Sequence, residues 1–131
     1  MSQQNVGAVR SWIERYNRRD MEGLMGLTDA DFQFRSYFVD IESLFHGHDG
    51  LRAYFTELDD VYESFQVLAS DMIDAGAAVL MIAQAQWCGR GSGATGVTPI
   101  FTAFWLKARK VVTMETFSDR RAAFEAVGLI D

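Results

Sequence analysis

Cysteine, proline and clustered basic residues are scarce in this 131-residue chain. The single cysteine, Cys88, cannot form an internal disulfide, which fits a reducing compartment and leads us to expect a cytoplasmic location. Twelve Lys and Arg residues are scattered among eighteen acidic ones, and the net charge is -6. This charge balance argues against nucleic acid and anionic membrane surfaces as partners.

Long hydrophobic runs are missing as well. The longest apolar-rich stretch, AGAAVLMIAQAQW, is too short, and too polar at its end, to cross a bilayer. The amino terminus lacks a basic segment followed by an apolar run, so we expect no signal peptide and no membrane association.

Large apolar side chains, by contrast, are plentiful. Hydrophobic residues make up 49% of the chain, with ten Phe, four Tyr and three Trp. A chain of this length and composition can bury a substantial core and is unlike a disordered protein. No linker, internal repeat or low-complexity segment divides it, so we predict one domain over residues 1–131.

Apolar residues near the amino terminus recur at intervals of three and four: Val6, Val9, Trp12, Ile13 and Tyr16. This spacing is typical of an amphipathic helix with one buried stripe. A short second helix is predicted in the segment RRDMEGLMGLTD, with Asp20 as the N-cap.

The rest of the chain predicts one strand, a third helix and then a run of strands. DFQFRSYF alternates and places Phe32, Phe34, Ser36 and Phe38 on one strand face. GLRAYFTELDDVY has helical spacing, and from Phe65 four strands follow before a short final helix. Helices first and a four-strand meander last indicate an α+β fold with an antiparallel sheet.

Four segments carry a resemblance to a known family: YNRRDMEGLMGL, FHGHDGLRAYF, TPIFTAFWLKARKVVTMETFSDR and AFEAVGL. With this order of elements, the chain resembles the nuclear transport factor 2-like superfamily and, within it, the SnoaL-like proteins. The resemblance covers essentially the whole chain. It implies a cone-shaped, curved antiparallel sheet wrapped around N-terminal helices, with an apolar pocket at its open end. Because SnoaL-like proteins work without a metal, the resemblance also implies no metal and no cofactor.

The ketosteroid isomerase branch of the superfamily offers a specific comparison. Its site combines a base aspartate with an oxyanion hole made of a tyrosine and a protonated aspartate. Matching the segments places the base aspartate at Ser36, the tyrosine at Trp12 and the protonated aspartate at Phe101. All three differ chemically, which argues against the steroid isomerase mechanism.

The same match implies which side chains line the pocket, since alternate residues of a strand share one face. The expected lining residues are Trp12, Phe34, Ser36, Met81, Ala83, Ala85, Trp87, Phe101, Ala103, Trp105, Met114, Thr116 and Ser118. The alternative is that this face is packed core, with the alanines accommodating the first helix.

The stretch FVDIESLFHGHDG holds both histidines and three carboxylates. A carboxylate beside so many aromatic residues would lose solvation, which suits a general acid or base. Asp40 keeps the strand parity of Phe34 and Ser36, so it is our candidate for the proton-transfer group. His46 is its candidate partner, and Tyr16 the candidate hydrogen-bond donor into the pocket.

Plainer interpretations of this stretch stay open. In these interpretations, Asp40 and Glu42 are solvated loop acids, and His46 is a surface histidine. His48 or Asp49 caps the helix that begins near Gly50, or Asp49 is an acid in its first turn that complements the helix dipole. A zinc or iron site built from the two histidines and a carboxylate is the least favoured interpretation.

The expected function is binding of a small, largely apolar molecule for acid/base chemistry without a cofactor. A cyclase, isomerase, dehydratase or hydrolase acting on a polyketide-like or terpenoid-like substrate fits this expectation. The alternative is a non-catalytic binding or accessory domain.

We also expect a homodimer through the outer sheet face, where Leu80, Ile82, Phe104, Leu106 and Phe117 would form an apolar patch.

Overall fold

A computed structural model describes residues 2–36 and 44–129. Asp40, Glu42 and Phe38, to which the sequence assigns roles, lie outside the described residues. The helices and strands, in chain order, are α1 (Ser2–Arg18), α2 (Met21–Gly26), β1 (Thr28–Arg35), β2 (Leu44–His46), α3 (Gly47–Val61), β3 (Tyr62–Asp74), β4 (Ala78–Gly89), β5 (Thr95–Lys107), β6 (Lys110–Phe117) and α4 (Arg120–Ala126).

The helices follow the predicted pattern closely. In α1, Val9, Trp12 and Tyr16 are buried against the sheet, as the three- and four-residue spacing predicts. Asp20 caps α2 by accepting a hydrogen bond from the backbone N–H of Gly23 at 3.0 Å. Asp119 caps α4 in the same way, through the N–H of Ala122 at 3.0 Å.

The strands form one curled sheet in the order β2-β1-β6-β5-β4-β3. β3 to β6 pair as the predicted antiparallel meander. β1 differs from the antiparallel expectation, because it pairs in parallel with β6. A parallel neighbour is possible here since β1 and β6 are joined by a long connection instead of a hairpin. The three-residue β2 was not predicted, since three residues are too short to show a period.

The register of the meander decides which residues face the helices. Met81 and Ala83 of β4 lie opposite Thr102 and Ile100 of β5, and directly paired residues share a sheet face. The inner face of β5 therefore carries Ile100, Thr102 and Phe104.

The predicted inward orientation of Phe101, Ala103 and Trp105 is wrong, because these residues lie on the outer face. A shift of one residue moves every side chain of a strand to the other face. β5 is apolar on both faces, so alternation in the sequence gave no signal for either choice.

The outer face is partly covered by α4. Phe124 and Ala123 of α4 bury Leu80 of β4 and Ala103 of β5, with Trp105 at their edge. Phe104, predicted on this outer face, is instead fully buried beneath α1.

None of the described helices is both long and apolar enough to cross a membrane.

Candidate functional site

A small cavity lies between α1, α3 and the inner face of the sheet. Its open volume is about 20 Å³, roughly the room that one water molecule needs. The described residues around it are mostly aromatic and aliphatic, with four hydroxyl groups among them. They are Ile13, Tyr16, Phe34, Tyr54, Phe65, Val67, Met81, Ile100, Thr102, Met114 and Thr116.

Two buried tyrosines form the polar centre of the cavity. The hydroxyl groups of Tyr16 from α1 and Tyr54 from α3 are hydrogen-bonded to each other, and each residue is only 2% exposed. One phenol must donate and the other accept, so one of the two O–H groups keeps a hydrogen for another acceptor.

Burial keeps both phenols protonated. Loss of solvation raises the pKa of Tyr16 well above its ordinary value, although the Tyr54 hydrogen bond and the Arg19 charge partly oppose this. Burial, reinforced by Tyr16, likewise raises the pKa of Tyr54. The Arg19 guanidinium lies 5.3 Å from the Tyr16 ring centre and 5.0 Å from that of Phe55. The pair is therefore a neutral hydrogen-bond donor near a cation.

Two threonines supply a second hydroxyl pair. Thr102 of β5 and Thr116 of β6 are register partners, and their Oγ1 atoms lie 3.1 Å apart. Thr102 is 1% exposed. Among the described lining residues none carries a charge, so this part of the cavity offers only its shape and neutral hydrogen-bonding groups.

The structure brings together five of the residues expected from the sequence: Tyr16, Phe34, Met81, Met114 and Thr116. Ser36, Ala83 and Ala85 are buried in the inner part of the molecule but stand outside the cavity wall. Ser118 lies beyond the end of β6 and is exposed.

Three tryptophans expected in the lining serve other purposes. Trp12 is fully buried; its Nε1–H donates to Thr28 Oγ1 at 3.0 Å, and its ring packs edge-on against Phe104. Trp87 donates from Nε1 to Thr98 Oγ1 at 3.0 Å and lies across Gly96, where a Cβ would collide with the indole. Trp105 faces outward, as does Phe101. The prediction that these four residues surround the cavity is therefore wrong.

His46 also lies away from the cavity. It is exposed, whereas its neighbour Phe45 is buried, because successive strand residues face opposite sides. The predicted role of His46 as a proton partner inside the pocket is not compatible with this position. Gly47, with φ of 70°, makes the expected turn.

Helix α3 begins at Gly47, earlier than predicted, and neither expected capping residue caps it. His48 Nε2 lies 2.8 Å from the carbonyl oxygen of Thr28. Asp49 is an acid of the first turn, as the other interpretation of this residue predicts, and it pairs with Arg52 at 3.2 Å. Within residues 2–36 and 44–129 no group of three or more His, Cys, Asp or Glu side chains is placed to hold a metal ion.

Six lining residues were not expected from the sequence: the apolar Ile13, Phe65, Val67 and Ile100, and the polar Tyr54 and Thr102. Tyr54 belongs to the segment GLRAYFTELDDVY, and its helical spacing, which buries Tyr54 in the same core as Tyr16, is the signal that could have suggested the contact. The prediction that Phe101 and Ala103 face inward implies that Thr102 faces outward, so the error in the facing of β5 concealed Thr102. The contact of Tyr54 with Tyr16 and the inward orientation of Thr102 become evident only when α1 lies beside α3 and β5 is paired with β4.

Comparison with known proteins confirms the resemblance. The family model described as a SnoaL-like domain matches residues 9–114. A search of the curated proteins finds no match to the sequence.

Several solved structures share the fold. An NTF2-like protein of unknown function from Burkholderia pseudomallei K96243 superposes with a TM-score of 0.80 at 16% identity, over 95% of this chain and 98% of that one. TerC, co-crystallised with polyporic acid, gives a TM-score of 0.80 at 17% identity over 95% and 98% of the two chains. A putative SnoaL-like polyketide cyclase from Shewanella denitrificans OS-217 gives 0.75 at 14% identity over 86% and 88%.

Proposed function

Because the chain belongs to the SnoaL-like domain family, we propose that it binds a small, largely apolar molecule with a hydrogen-bond acceptor such as a ketone oxygen. The molecule occupies the cavity between α1, α3 and the sheet. The observation that carries this proposal is the hydroxyl pair of Tyr16 and Tyr54, which is buried in an otherwise apolar wall.

The tyrosine pair suits a carbonyl ligand for a physical reason. Its spare O–H is held in a low-dielectric site, where a hydrogen bond to an oxygen that gains negative charge is worth more than in water. The positive charge of Arg19 beside the Tyr16 ring also favours negative charge on the ligand oxygen. The structural relative TerC was crystallised with polyporic acid, which supports a small organic ligand for this scaffold.

The cavity must expand to accept such a molecule, since it has room for about one water. Met81 and Met114 lie in its wall, and methionine side chains are unbranched and adapt to irregular spaces. The ligand would displace these side chains without a change in the backbone of the sheet.

The proposed chemistry is proton abstraction next to the carbonyl group, without a cofactor. Asp40 would take the proton, and the Tyr16–Tyr54 pair would stabilise the enolate oxygen. Cyclases, isomerases and dehydratases that act on polyketide-like or terpenoid-like compounds use steps of this kind. The second candidate is a binding domain without catalysis. It is favoured by the absence of any carboxylate, imidazole or amine among the described lining residues.

Acetophenone and ethylbenzene, which differ by the carbonyl oxygen, test the proposal. We expect the ketone to bind about tenfold more tightly by calorimetry, the effect of roughly one net hydrogen bond. The double variant Tyr16→Phe/Tyr54→Phe should remove most of this difference, because either hydroxyl alone can still donate to the ketone. Equal affinity for both compounds in the wild type would contradict the role of the tyrosine pair.

Deuterium exchange at the acetophenone methyl group, followed by NMR, separates the two candidates. Exchange that depends on the protein and is lost in Asp40→Asn, while binding persists, supports catalysis. Binding without exchange supports the non-catalytic candidate.

We also propose a homodimer through the part of the outer face that α4 leaves open. Leu68 and Val97 lie there, 45% and 56% exposed, beside the exposed side chains of Gln84 and Gln86. Apolar residues interleaved with amides suit an interface, since the amides can hydrogen-bond across it.

Sedimentation equilibrium tests the dimer. Val97→Glu is expected to shift the mass towards the 14.7 kDa monomer, because it buries a charge at the interface. Val61→Glu is the control, since Val61 is 49% exposed at the end of α3. A wild-type protein with the monomer mass at micromolar concentration would refute the dimer.

A further inference from the structure

A surface groove runs beside the cavity, between α1 and β3. Its volume is about 330 Å³, and it is lined by Arg10, Ile13 and Glu14 from the helix and by Ala69 and Met72 from the strand. Ile13 belongs to both linings, because it also forms part of the cavity wall.

The groove and the cavity occupy the same inner face of the sheet. Met72 in the groove is the register partner of Met81 in the cavity, and paired residues share a face. The floor of the groove therefore continues into the cavity, with the Ile13 side chain standing between them.

The position of Ile13 is fixed from the following turn of the helix. Four residues later, the Asn17 side chain donates to the Val67 carbonyl at 2.8 Å and accepts from the Val67 N–H at 2.9 Å. This double hydrogen bond holds α1 against β3. Ile13 is 7% exposed, and a β-branched side chain has few rotamers. It is thus a partition between the two spaces, held at a fixed point of the helix, that opens only by a change of rotamer.

The two volumes show why the partition matters. The cavity alone is far smaller than the roughly 300–1,000 Å³ of ordinary small-molecule sites, whereas the groove falls at the lower end of that range. A ligand with an apolar tail needs both spaces, and it can have both only when the Ile13 side chain moves aside.

We propose that Ile13 is the gate of the binding site and sets the length of the ligands that it accepts. The ligands that this gate controls are ketones with the carbonyl end at Tyr16 and Tyr54 and a tail that extends beyond Ile13. The tail then lies along Ala69 and Met72, and its far end reaches the charged side chains of Arg10 and Glu14. This inference rests on the proposed function, and it adds a route of access and a specificity-determining residue.

The test compares acetophenone with para-butylacetophenone, whose butyl chain is long enough to enter the groove. Calorimetry is carried out on wild type, Ile13→Ala, Ile13→Val and the control Val9→Ala. Val9 lies one turn earlier on α1 and is fully buried, but lines neither space. The valine variant keeps the test possible if Ile13→Ala does not fold.

Ile13→Ala is expected to raise the affinity for para-butylacetophenone by about tenfold or more, a size that apolar pockets show for one or two methylene groups. Ile13→Val should do so to a smaller extent, and neither variant should improve acetophenone binding to the same degree. Val9→Ala should leave the ratio of the two affinities unchanged.

A failure of the gate and a failure of the proposed function give different results. If wild type binds acetophenone but the Ile13 variants leave the ratio of affinities as it is, the gate is refuted and the proposed function stands. If neither ketone binds to wild type or to any Ile13 variant, the proposed function is refuted, and the gate with it.

Discussion

Phe104→Ala is expected to lower the free energy of unfolding by about 3–5 kcal/mol, the usual cost of removing a fully buried phenylalanine ring. Phe104 is 0% exposed, and its ring centre lies 5.6 Å from that of Trp12 in an edge-to-face contact. The substitution would leave a cavity beneath α1 that the rigid sheet cannot fill. Chemical denaturation monitored by tryptophan fluorescence measures the change.

Phe101→Ala is the matched control, with the same residue type on the same strand. Phe101 is half-buried on the outer face at the edge of α4, so we expect a loss of about 1–2 kcal/mol. Both variants must be compared at one protein concentration, because the proposed dimerisation would contribute to apparent stability. A larger loss for Phe101→Ala than for Phe104→Ala would contradict the register of β5.

Tyr16→Phe and Tyr54→Phe are each expected to destabilise the protein by about 1–3 kcal/mol, because either change leaves the other buried hydroxyl without its partner. The double variant removes both hydroxyl groups together. Its loss should therefore be smaller than the sum of the two single losses.

A double-mutant cycle at neutral pH provides the measurement, since both phenols are protonated there. Tyr62→Phe is the control, because Tyr62 is half-buried at the start of β3 and has no place in the pair. Strictly additive losses at Tyr16 and Tyr54 would show that the two hydroxyl groups are not coupled.

The main elements of the fold were predictable because their signals are local. The stripe of α1, the Asp20 cap and the change of period near Phe65 each depend on a few neighbouring residues. Pairing in the sheet is not local. The parallel contact of β1 with β6, the short β2 and the facing of β5 depend on register, which two apolar faces do not encode in the sequence.

The residues of the candidate site were also only partly predictable from local sequence signals. Tyr16 was identified because it follows Trp12 by one helical turn, but the two residues differ in their role. Trp12 is tied to Thr28, whereas Tyr16 reaches Tyr54, which is distant in the sequence. Large aromatic residues fill cores as readily as pockets, so residue type alone could not separate Trp12, Phe101 and Trp105 from Tyr16.

A crystal structure of the protein with acetophenone tests the central claim most directly. We expect the ketone in the cavity between α1, α3 and the sheet, with its oxygen about 2.7–2.8 Å from the hydroxyl oxygen of Tyr16 or Tyr54. Met81 and Met114 should have moved to make room for its ring. Acetophenone bound elsewhere, with the Tyr16–Tyr54 pair untouched, would contradict the claim.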